Sequence, residues 1–279
     1  MPSDSRAAMP ALSDYPSELR QSSQKGGLRV RHGEARTGED PLVSIVTVVR
    51  NGVSTLSRTV QSVLAQDYPR VEYIVVDGES TDGTLDLLRS YEDRLALWVS
   101  EPDAGISDAF NKGIALARGD IIGLLNSDDW YEPDAIRSAV AAMQHSGADI
   151  ACGKLQYWEA DRNTYLVTSD PELLESGMTV GHPTVFARRT CYARIGLYRL
   201  DFRLAMDYEW LLRAKAGGAR FVAVDRCLSN MQGGGIGDHR WRQSQREVAR
   251  ARSLHVTGAG SAFAQNLYVA RSLFKGSVR

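Results

Sequence analysis

The chain has 279 residues, of which 43% are hydrophobic and 24% are charged, and its formal net charge at pH 7 is -1. This balance is typical of a globular protein with room for one large core or two modest ones. The lack of a basic excess argues against a nucleic-acid partner, because proteins that bind the phosphate backbone carry clustered Lys and Arg. No run approaches the roughly 18 apolar residues of a spanning helix, so we expect none.

Residues 1–40 are rich in Ser, Arg, Glu and Gly and lack the apolar core of a signal peptide. We expect them to form a flexible extension that precedes the fold. The three cysteines, Cys152, Cys191 and Cys227, are far apart and show no paired spacing typical of zinc ligands. A sparse and odd cysteine count favours a reducing compartment, and we therefore predict a cytoplasmic protein.

Beyond residue 40, apolar runs alternate with amphipathic segments. Buried strands are predicted at residues 42–49, at 71–76, and within LALWVSEPD and DIIGLLN. Helices are predicted within GVSTLSRTVQSVLAQDY, from Thr84 onward, and within GISDAFNKGIALARGD and PDAIRSAVAAMQH. Strand and helix alternating in this way specify an α/β fold, with a mostly parallel sheet and helices on both faces.

The pattern changes after residue 150. The segment ADIACGKLQYWEADRNTYLVT predicts a hairpin, shorter elements follow it, and residues 236–279 form a basic tail of helical character. No linker separates these parts, so we predict one continuous domain of two halves rather than two separable domains.

Polar clusters follow the predicted parallel strands: Arg50-Asn51, Asp77-Gly78, Pro102-Asp103 and residues 126–129. Ligands of open α/β sheets bind outside the carboxyl ends of the strands. We therefore expect these four turns to converge on one cleft.

The last of these clusters contains Asn126 and the adjacent acids Asp128 and Asp129. Neighbouring carboxylates repel each other, and a hard divalent cation that also binds substrate phosphates would relieve the repulsion. The alternative is that one aspartate caps the next helix and the other is simply exposed. We favour the metal site because of its place at the end of the fourth strand.

Four segments then resemble a known family: VSIVTVVRN, VEYIVVDGESTDGT, ARGDIIGLLNSDDWY and MDYEWLLR. In this order, and across roughly residues 42–230, they resemble the family-2 glycosyltransferases of the GT-A fold. The resemblance implies a Rossmann-like, mostly parallel central sheet. It also implies a nucleotide-sugar-binding half, residues 41–150, and a smaller acceptor-side half, residues 151–235.

The resemblance implies which residues bind the donor. By motif position they are Thr47, Val48, Arg50, Asn51, Asp77, Asp108, Lys112, Asn126 and Ser127. Asp77 would accept a hydrogen bond from the base or ribose, and the alternative is a turn-forming role before Gly78. For Asp108 the alternative is a favourable place at a helix start, and for Lys112 it is a solvated side chain.

In the family the metal motif is Asp-x-Asp, whereas this chain has Asn126-Ser127-Asp128. The resemblance therefore implies Asp128 as the direct ligand of Mn²⁺ or Mg²⁺, with a site that is weak until the donor binds. The catalytic acid of the family maps best to Asp207. The alternative is that Asp207 and Glu209 are simply acids at a helix start.

Four residues are assigned to the acceptor or phosphate side: His182, Glu209, Gly233 and Gly234. His182 precedes a proline and a strand, and a structural role is the alternative. The glycines would allow a backbone to approach phosphate or sugar closely, or they form a flexible loop.

We therefore predict an inverting, metal-dependent glycosyltransferase with a nucleotide-sugar donor, with UDP favoured over GDP or dTDP, and a glycan or lipid-linked sugar acceptor. One alternative is a nucleotidyltransferase, but VVRNGVSTLSR lacks the glycine-rich loop of those enzymes. Another is a non-catalytic sugar-binding protein, against which the retained Asp77, Asp128 and Asp207 argue. The oligomeric state is not predicted.

The C-terminal tail also predicts a contact with the membrane. Phe263, Leu267, Ala270 and Phe274 would form an apolar face on a basic helix. Basic amphipathic helices bind anionic membranes, so we predict peripheral contact with the inner membrane face in surface polysaccharide synthesis. The alternative is that the helix packs on the core or on a second subunit.

Overall fold

The computed structural model describes residues 14–15, 24–32, 39–235 and 240–256. In these residues ten strands form one sheet. The strands are β1 Gln24–Gly26, β2 Val43–Val49, β3 Val71–Asp77, β4 Leu97–Ser100, β5 Ile121–Asn126, β6 Trp130–Tyr131, β7 Ile150–Glu159, β8 Arg162–Val167, β9 Phe186–Arg188 and β10 Phe221–Gln232.

The helices surround this sheet. They are α1 Leu28–His32, α2 Leu56–Leu64, α3 Thr84–Ser90, α4 Ile106–Leu116, α5 Ala135–Ser146, α6 Arg189–Ile195, α7 Met206–Ala216 and α8 Trp241–His255. Two 3₁₀ turns lie between β8 and β9, at Pro171–Ser176 and His182–Thr184.

The strand order is β1-β4-β3-β2-β5-β9-β7-β10-β6, with β8 paired to β7. The strands β4, β3, β2 and β5 are parallel, β9 is antiparallel to both of its neighbours, and β10 is parallel to β7. The predicted mostly parallel α/β sheet is therefore confirmed, and so is the hairpin, which forms β7 and β8. Because β10 joins the same sheet, the two predicted halves share one framework.

The core lies on both faces of the sheet. Alternate side chains of a strand point to opposite faces, and every residue of β2 is buried. Val46 packs with Phe110 of α4 on one face, while Ile45 packs with Leu56 of α2 on the other. This arrangement explains the continuous apolar runs, since burying one such large side chain contributes roughly 1.5–3 kcal/mol.

Part of the predicted flexible extension is instead built into the fold. β1 pairs antiparallel with β4, and the Arg29 guanidinium donates to Glu72 at 3.3 Å and to the carbonyl of Leu116 at 2.8 Å. A flexible extension is therefore wrong for residues 24–32, which cover the β4 edge of the sheet. Apart from residues 14–15 and 39–40, the rest of 1–40 lies outside the described residues.

The tail begins as the predicted helix. α8 packs against α7 and buries Val248 and Ala251. The apolar face predicted at Phe263, Leu267, Ala270 and Phe274 lies outside the described residues. Within the described part of the chain, no helix is both long enough and apolar enough to cross a bilayer.

Candidate functional site

Four strand ends meet at one edge of the sheet. Val48 of β2 is in register with Val76 of β3 and with Asn126 of β5, and Asp77 is in register with Ser100 of β4. The turns that follow these strands therefore start side by side. The predicted convergence of polar clusters on one edge is confirmed.

Asp77 is fully buried at the end of β3. Its carboxylate accepts hydrogen bonds from the Ser80 amide at 3.0 Å, from the Ser80 hydroxyl, and from the Ser100 hydroxyl at 2.6 Å. The carboxylate thus organises its own turn and ties it to β4, as the turn-forming alternative states. Contact with a donor base or ribose stays a prediction.

The turn after β2 interlocks with the turn after β3. Asn51 has a left-handed φ of 54°, its side-chain oxygen accepts from the Thr81 amide at 2.8 Å, and its own amide donates to the Ser80 hydroxyl at 2.7 Å. A Cβ at Gly78 would lie 2.3 Å from Asp103 Oδ2, so a larger residue there would force the Asp103 side chain to move. Arg50 is exposed beside this junction.

Two residues assigned to the donor do not face the cleft. Thr47 is fully buried and its hydroxyl lies 3.1 Å from the Tyr73 hydroxyl, while Val48 is 7% exposed within the core on the α4 side. Donor contact by these two residues stays a prediction, and in this structure their side chains are not exposed to make it. The physical reason is that β2 is central and covered on both faces, so both side chains enter the helical layers.

Lys112 and Asp108 belong to a closed polar network. The Lys112 ammonium lies 3.0 Å from Glu101 and 3.4 Å from Asp108, and it donates to the Pro102 carbonyl at 2.5 Å. Asp108 also accepts from the Ala104 amide at 3.0 Å. Lys112 is therefore not a solvated side chain, because it holds the loop between β4 and α4. Phosphate or nucleotide contact by either residue stays a prediction.

The acidic cluster after β5 is held from two sides. The Asn126 side-chain amide donates to Asp129 Oδ2 at 3.1 Å, and the Gln232 amide at the end of β10 donates to Asp129 Oδ1 at 3.2 Å. Asp129 is 1% exposed, so it is neither solvated nor free to swing outward. Ser127 lies beside this cluster, with its hydroxyl 3.3 Å from where a Cβ at Gly52 would be.

The electrostatics of this cluster favour a cation. Burial raises the pKa of Asp128, and burial together with the charge of Asp128 raises the pKa of Asp129 well above its ordinary value. The side-chain oxygen of Asn126 is buried and accepts no hydrogen bond from the described residues. Carboxylate and amide oxygens are the ligands that Mg²⁺ and Mn²⁺ take, so the residues present fit such an ion.

The ion would need further ligands. Among the residues that the structure describes, no three His, Cys, Asp or Glu side chains are grouped to hold a metal. Asp128 and Asn126 would supply two oxygens, and donor phosphates are the ligands that commonly complete such a shell.

Asp207 and His182 are close enough to shift each other's pKa. Asp207 lies in the first turn of α7 and accepts from the Tyr208 amide at 2.7 Å. Burial raises the pKa of Asp207, partly offset by His182, while burial lowers the pKa of His182, partly offset by Asp207. The Nε2 atom of His182 is buried and has no hydrogen-bond partner among the described residues. A carboxyl with a raised pKa suits a general base better than an exposed one.

Glu209 has a structural role instead. It is fully buried, forms two hydrogen bonds of 3.0 Å with Arg213, and lies 2.9 Å from His255 Nε2. Burial pushes its pKa up, but hydrogen bonds from His255 and Arg213 outweigh burial and hold the pKa below its ordinary value. The acceptor-side assignment of Glu209 stays a prediction, and in this structure its carboxylate is occupied by Arg213 and His255. Positions 207 and 209 point about 200° apart on a helix, which explains the different surroundings.

The two assigned glycines follow β10 beside the acidic cluster. The Gly233 amide donates to the Trp158 carbonyl at 2.7 Å, and Gly234 has a left-handed φ of 88°. Both therefore lie one or two residues beyond Gln232, which contacts Asp129. Their contact with phosphate or sugar stays a prediction.

The family profile described as Glycosyl transferase family 2 matches residues 44–204. The chain belongs to this family. An uncharacterized glycosyltransferase of Mycobacterium tuberculosis is 37% identical over 209 residues, which cover 72% of this chain and 78% of that protein. The Bacillus subtilis glycosyltransferase TuaG, named for teichuronic acid biosynthesis, is 26% identical over 249 residues, covering 82% and 97% of the two chains.

Solved structures show the same fold. TarS of S. aureus, solved in complex with UDP-GlcNAc, aligns with a TM-score of 0.61 and 16% identity, covering 80% of this chain and 69% of that one. The mannosyltransferase PcManGT of Pyrobaculum calidifontis, solved with GDP-Man and Mn²⁺, aligns with a TM-score of 0.59 and 20% identity, covering 80% and 67%. The GT-A fold of this glycosyltransferase is thereby confirmed.

Sequence reasoning missed a cationic and aromatic cluster beside the acidic residues of this glycosyltransferase. The Arg58 guanidinium lies 3.6 Å from the centre of the Trp130 ring and 3.3 Å from the Gln232 side-chain oxygen. Trp130 in turn packs on Trp158, with ring centres 5.5 Å apart. The position of Trp130 directly after the two aspartates was an available signal. Arg58 and Trp158 come from distant segments and offered none.

Proposed function

We propose that this glycosyltransferase transfers a sugar from a UDP-linked donor to an acceptor hydroxyl, with inversion and with Mn²⁺ or Mg²⁺. The observation that carries the proposal is the buried carboxyl of Asp129 and the half-buried carboxyl of Asp128 beside the unpartnered oxygen of Asn126. The support from relatives is that TarS was solved with UDP-GlcNAc and PcManGT with GDP-Man and Mn²⁺.

The proposed chemistry divides between the two sides of the cleft. When bound, a divalent ion held by Asp128 and Asn126 would neutralise charge on the leaving diphosphate. Asp207 would accept the proton of the acceptor hydroxyl as its oxygen bonds to the anomeric carbon and the bond to the phosphate oxygen breaks. Attack from the face opposite the leaving group inverts the anomeric configuration in one displacement.

The acceptor is proposed to be a glycan or lipid-linked sugar of the cell surface. Two relatives support this class: TuaG, named for teichuronic acid, and a Mycobacterium bovis protein named PGL/p-HBAD biosynthesis glycosyltransferase, 28% identical over 202 residues. That class fits a cytoplasmic enzyme that acts at the inner membrane face.

Donor and metal are expected to stabilise the protein jointly. UDP and Mn²⁺ together should raise the melting temperature far more than either alone, because phosphate completes the metal shell. A ligand at 100 times its Kd adds about 2.7 kcal/mol of stability, which a thermal melt detects. Replacing UDP by GDP or dTDP in the same experiment tests the choice of nucleotide.

The variant Asp128→Asn should lose this joint effect. Asp86→Asn is the matched control, since the Asp86 side chain is 81% exposed on α3 and lies outside the cluster. If EDTA leaves both UDP binding and sugar transfer unchanged, the metal part of the proposal is wrong.

Membrane contact is tested by flotation. With vesicles containing anionic lipid at low salt, the full chain should float, because residues 257–279 add cationic and apolar side chains to the basic helix α8. A chain ending at residue 256 should stay at the bottom. A full-length protein that also stays at the bottom removes the membrane part of the proposal.

A further inference from the structure

Glu247 of α8 binds the chain just before α7. Its Oε2 atom accepts hydrogen bonds from three consecutive backbone amides, those of Arg203 at 2.9 Å, Leu204 at 2.8 Å and Ala205 at 3.0 Å. α7 begins at the next residue, Met206. One carboxylate oxygen therefore accepts hydrogen bonds from the three amides that precede this helix.

This contact fixes the residues just before α7, where the local sequence offers no side-chain cap. The first N–H groups of a helix have no partner inside the helix, and the helix dipole makes this end attractive to negative charge. The capping position of α7 is Ala205, whose side chain cannot accept a hydrogen bond. Hydrogen bonds to an ionised carboxylate are roughly twice as strong as neutral ones, so Glu247 fixes the approach to α7 firmly.

Contacts further along α8, after Glu247, hold this helix against its neighbours. His255 Nε2 lies 2.9 Å from Glu209, and Ala251 is fully buried between the helices. Arg250 forms an ion pair with Asp201, and its guanidinium lies 4.6 Å from the Phe202 ring centre. Glu247 is therefore part of a docked helix rather than a side chain that swings in solvent.

Asp207 lies two residues after Ala205, the last of the three residues whose amides Glu247 binds. Its place in the first turn of α7 depends on the direction in which the helix starts, and the side chain of Glu247 sets that direction from outside α7. We propose that Glu247 is a positioning residue that holds Asp207 in its catalytic place. This inference rests on the proposed function, in which Asp207 is the base.

Glu247 would act through Asp207 and through no substrate contact of its own. A misplacement of about 1 Å at a reacting group costs up to roughly 10²-fold in rate, even when the mutation is remote. Loss of Glu247 should therefore lower kcat while the donor KM is kept, since α8 packs against α7 and against the chain that leads into it.

The experiment compares Glu247→Ala and Glu247→Gln, each alone and combined with Asp207→Asn. Transfer is measured as UDP release from the nucleotide sugar with the full chain. We expect Glu247→Ala to lower kcat by about 10- to 100-fold with donor KM unchanged. Glu247→Gln should recover part of the loss, because its amide oxygen still accepts. The matched control, Arg246→Ala, alters an exposed neighbour on α8 and should behave as wild type.

The double variants separate positioning from general damage. In the Asp207→Asn background, Glu247→Ala should cause no further loss of residual turnover, because the group it positions is gone. An equal further loss there, or a Glu247→Ala enzyme with wild-type kcat, overturns the inference. If Glu247→Ala does not fold, Glu247→Gln decides, since it must then show a kcat between the wild-type and Asp207→Asn values.

The same measurements separate this inference from the function on which it rests. A fully active Asp207→Asn overturns both claims. An inactive Asp207→Asn beside a fully active Glu247→Ala overturns the positioning role alone and leaves the proposed function standing.

Discussion

Asp207→Asn is expected to lower kcat by roughly 10² to 10⁴-fold while UDP-sugar binding stays nearly unchanged. The change replaces a half-buried carboxylate that can take a proton by an amide of similar shape that cannot. UDP release measures the rate, and titration calorimetry with a UDP-sugar measures binding. A loss confined to kcat indicates a group that acts in the transition state rather than in donor binding.

The pH dependence should agree with this assignment. A general base must be ionised, and burial raises the pKa of Asp207. The rate should therefore rise with pH through a value above the ordinary pKa of an aspartate. Asp225→Asn is the matched control, because the Asp225 side chain is 92% exposed. Near wild-type turnover in Asp207→Asn would show that the base lies elsewhere.

Glu209→Gln should act on stability and only indirectly on catalysis. Its carboxylate is fully buried against Arg213, whose side chain is 8% exposed, and the two form paired hydrogen bonds of 3.0 Å. Removing one partner leaves a buried charge without compensation, which typically costs about 3–5 kcal/mol. Urea unfolding measures this loss, and Glu175→Gln at an exposed position should change stability by less than about 0.5 kcal/mol.

The dependence of the free energy of unfolding on pH in the acidic range gives a second measure of the Glu209–Arg213 pair. Hydrogen bonds hold the folded pKa of Glu209 below its ordinary value of 4.5. A lowered pKa contributes stability that is fully present above the ordinary value and is lost as pH falls through the folded value. Glu209→Gln should make the free energy of unfolding depend less on pH in this range. An unchanged urea midpoint would contradict the buried ion pair.

The sheet and the place of the site could be predicted because local pattern decides them. Residues 42–49 and 71–76 are nearly continuously apolar, since β2 and β3 are buried on both faces. Both strands begin and end within one residue of their predicted bounds. The polar cluster that contains Asp128 and Asp129 falls directly after an apolar run. Parallel strands then bring such ends to one edge.

Roles within the site could not be predicted, because they depend on distant contacts. Thr47 enters the core through its contact with Tyr73 on another strand, and Glu209 is neutralised partly by His255, far along the chain. The spacing of Glu209 and Arg213 on one helix face was a usable signal for an ion pair. No comparable pattern marks β1, which joins the sheet only because the edge of β4 is available.

The stereochemistry of donor turnover is the sharpest test of the proposed inverting mechanism, in which Asp207 is the base. The protein is incubated with Mn²⁺ and an α-linked UDP-sugar, and proton NMR follows the anomeric signal of the sugar first released to water or to an acceptor. We expect a β product, because one displacement with Asp207 as base inverts the anomeric carbon. This product should form only with the metal, and it should be lost in Asp207→Asn. An α product formed first, or turnover that is equally fast with EDTA or in Asp207→Asn, would contradict this mechanism.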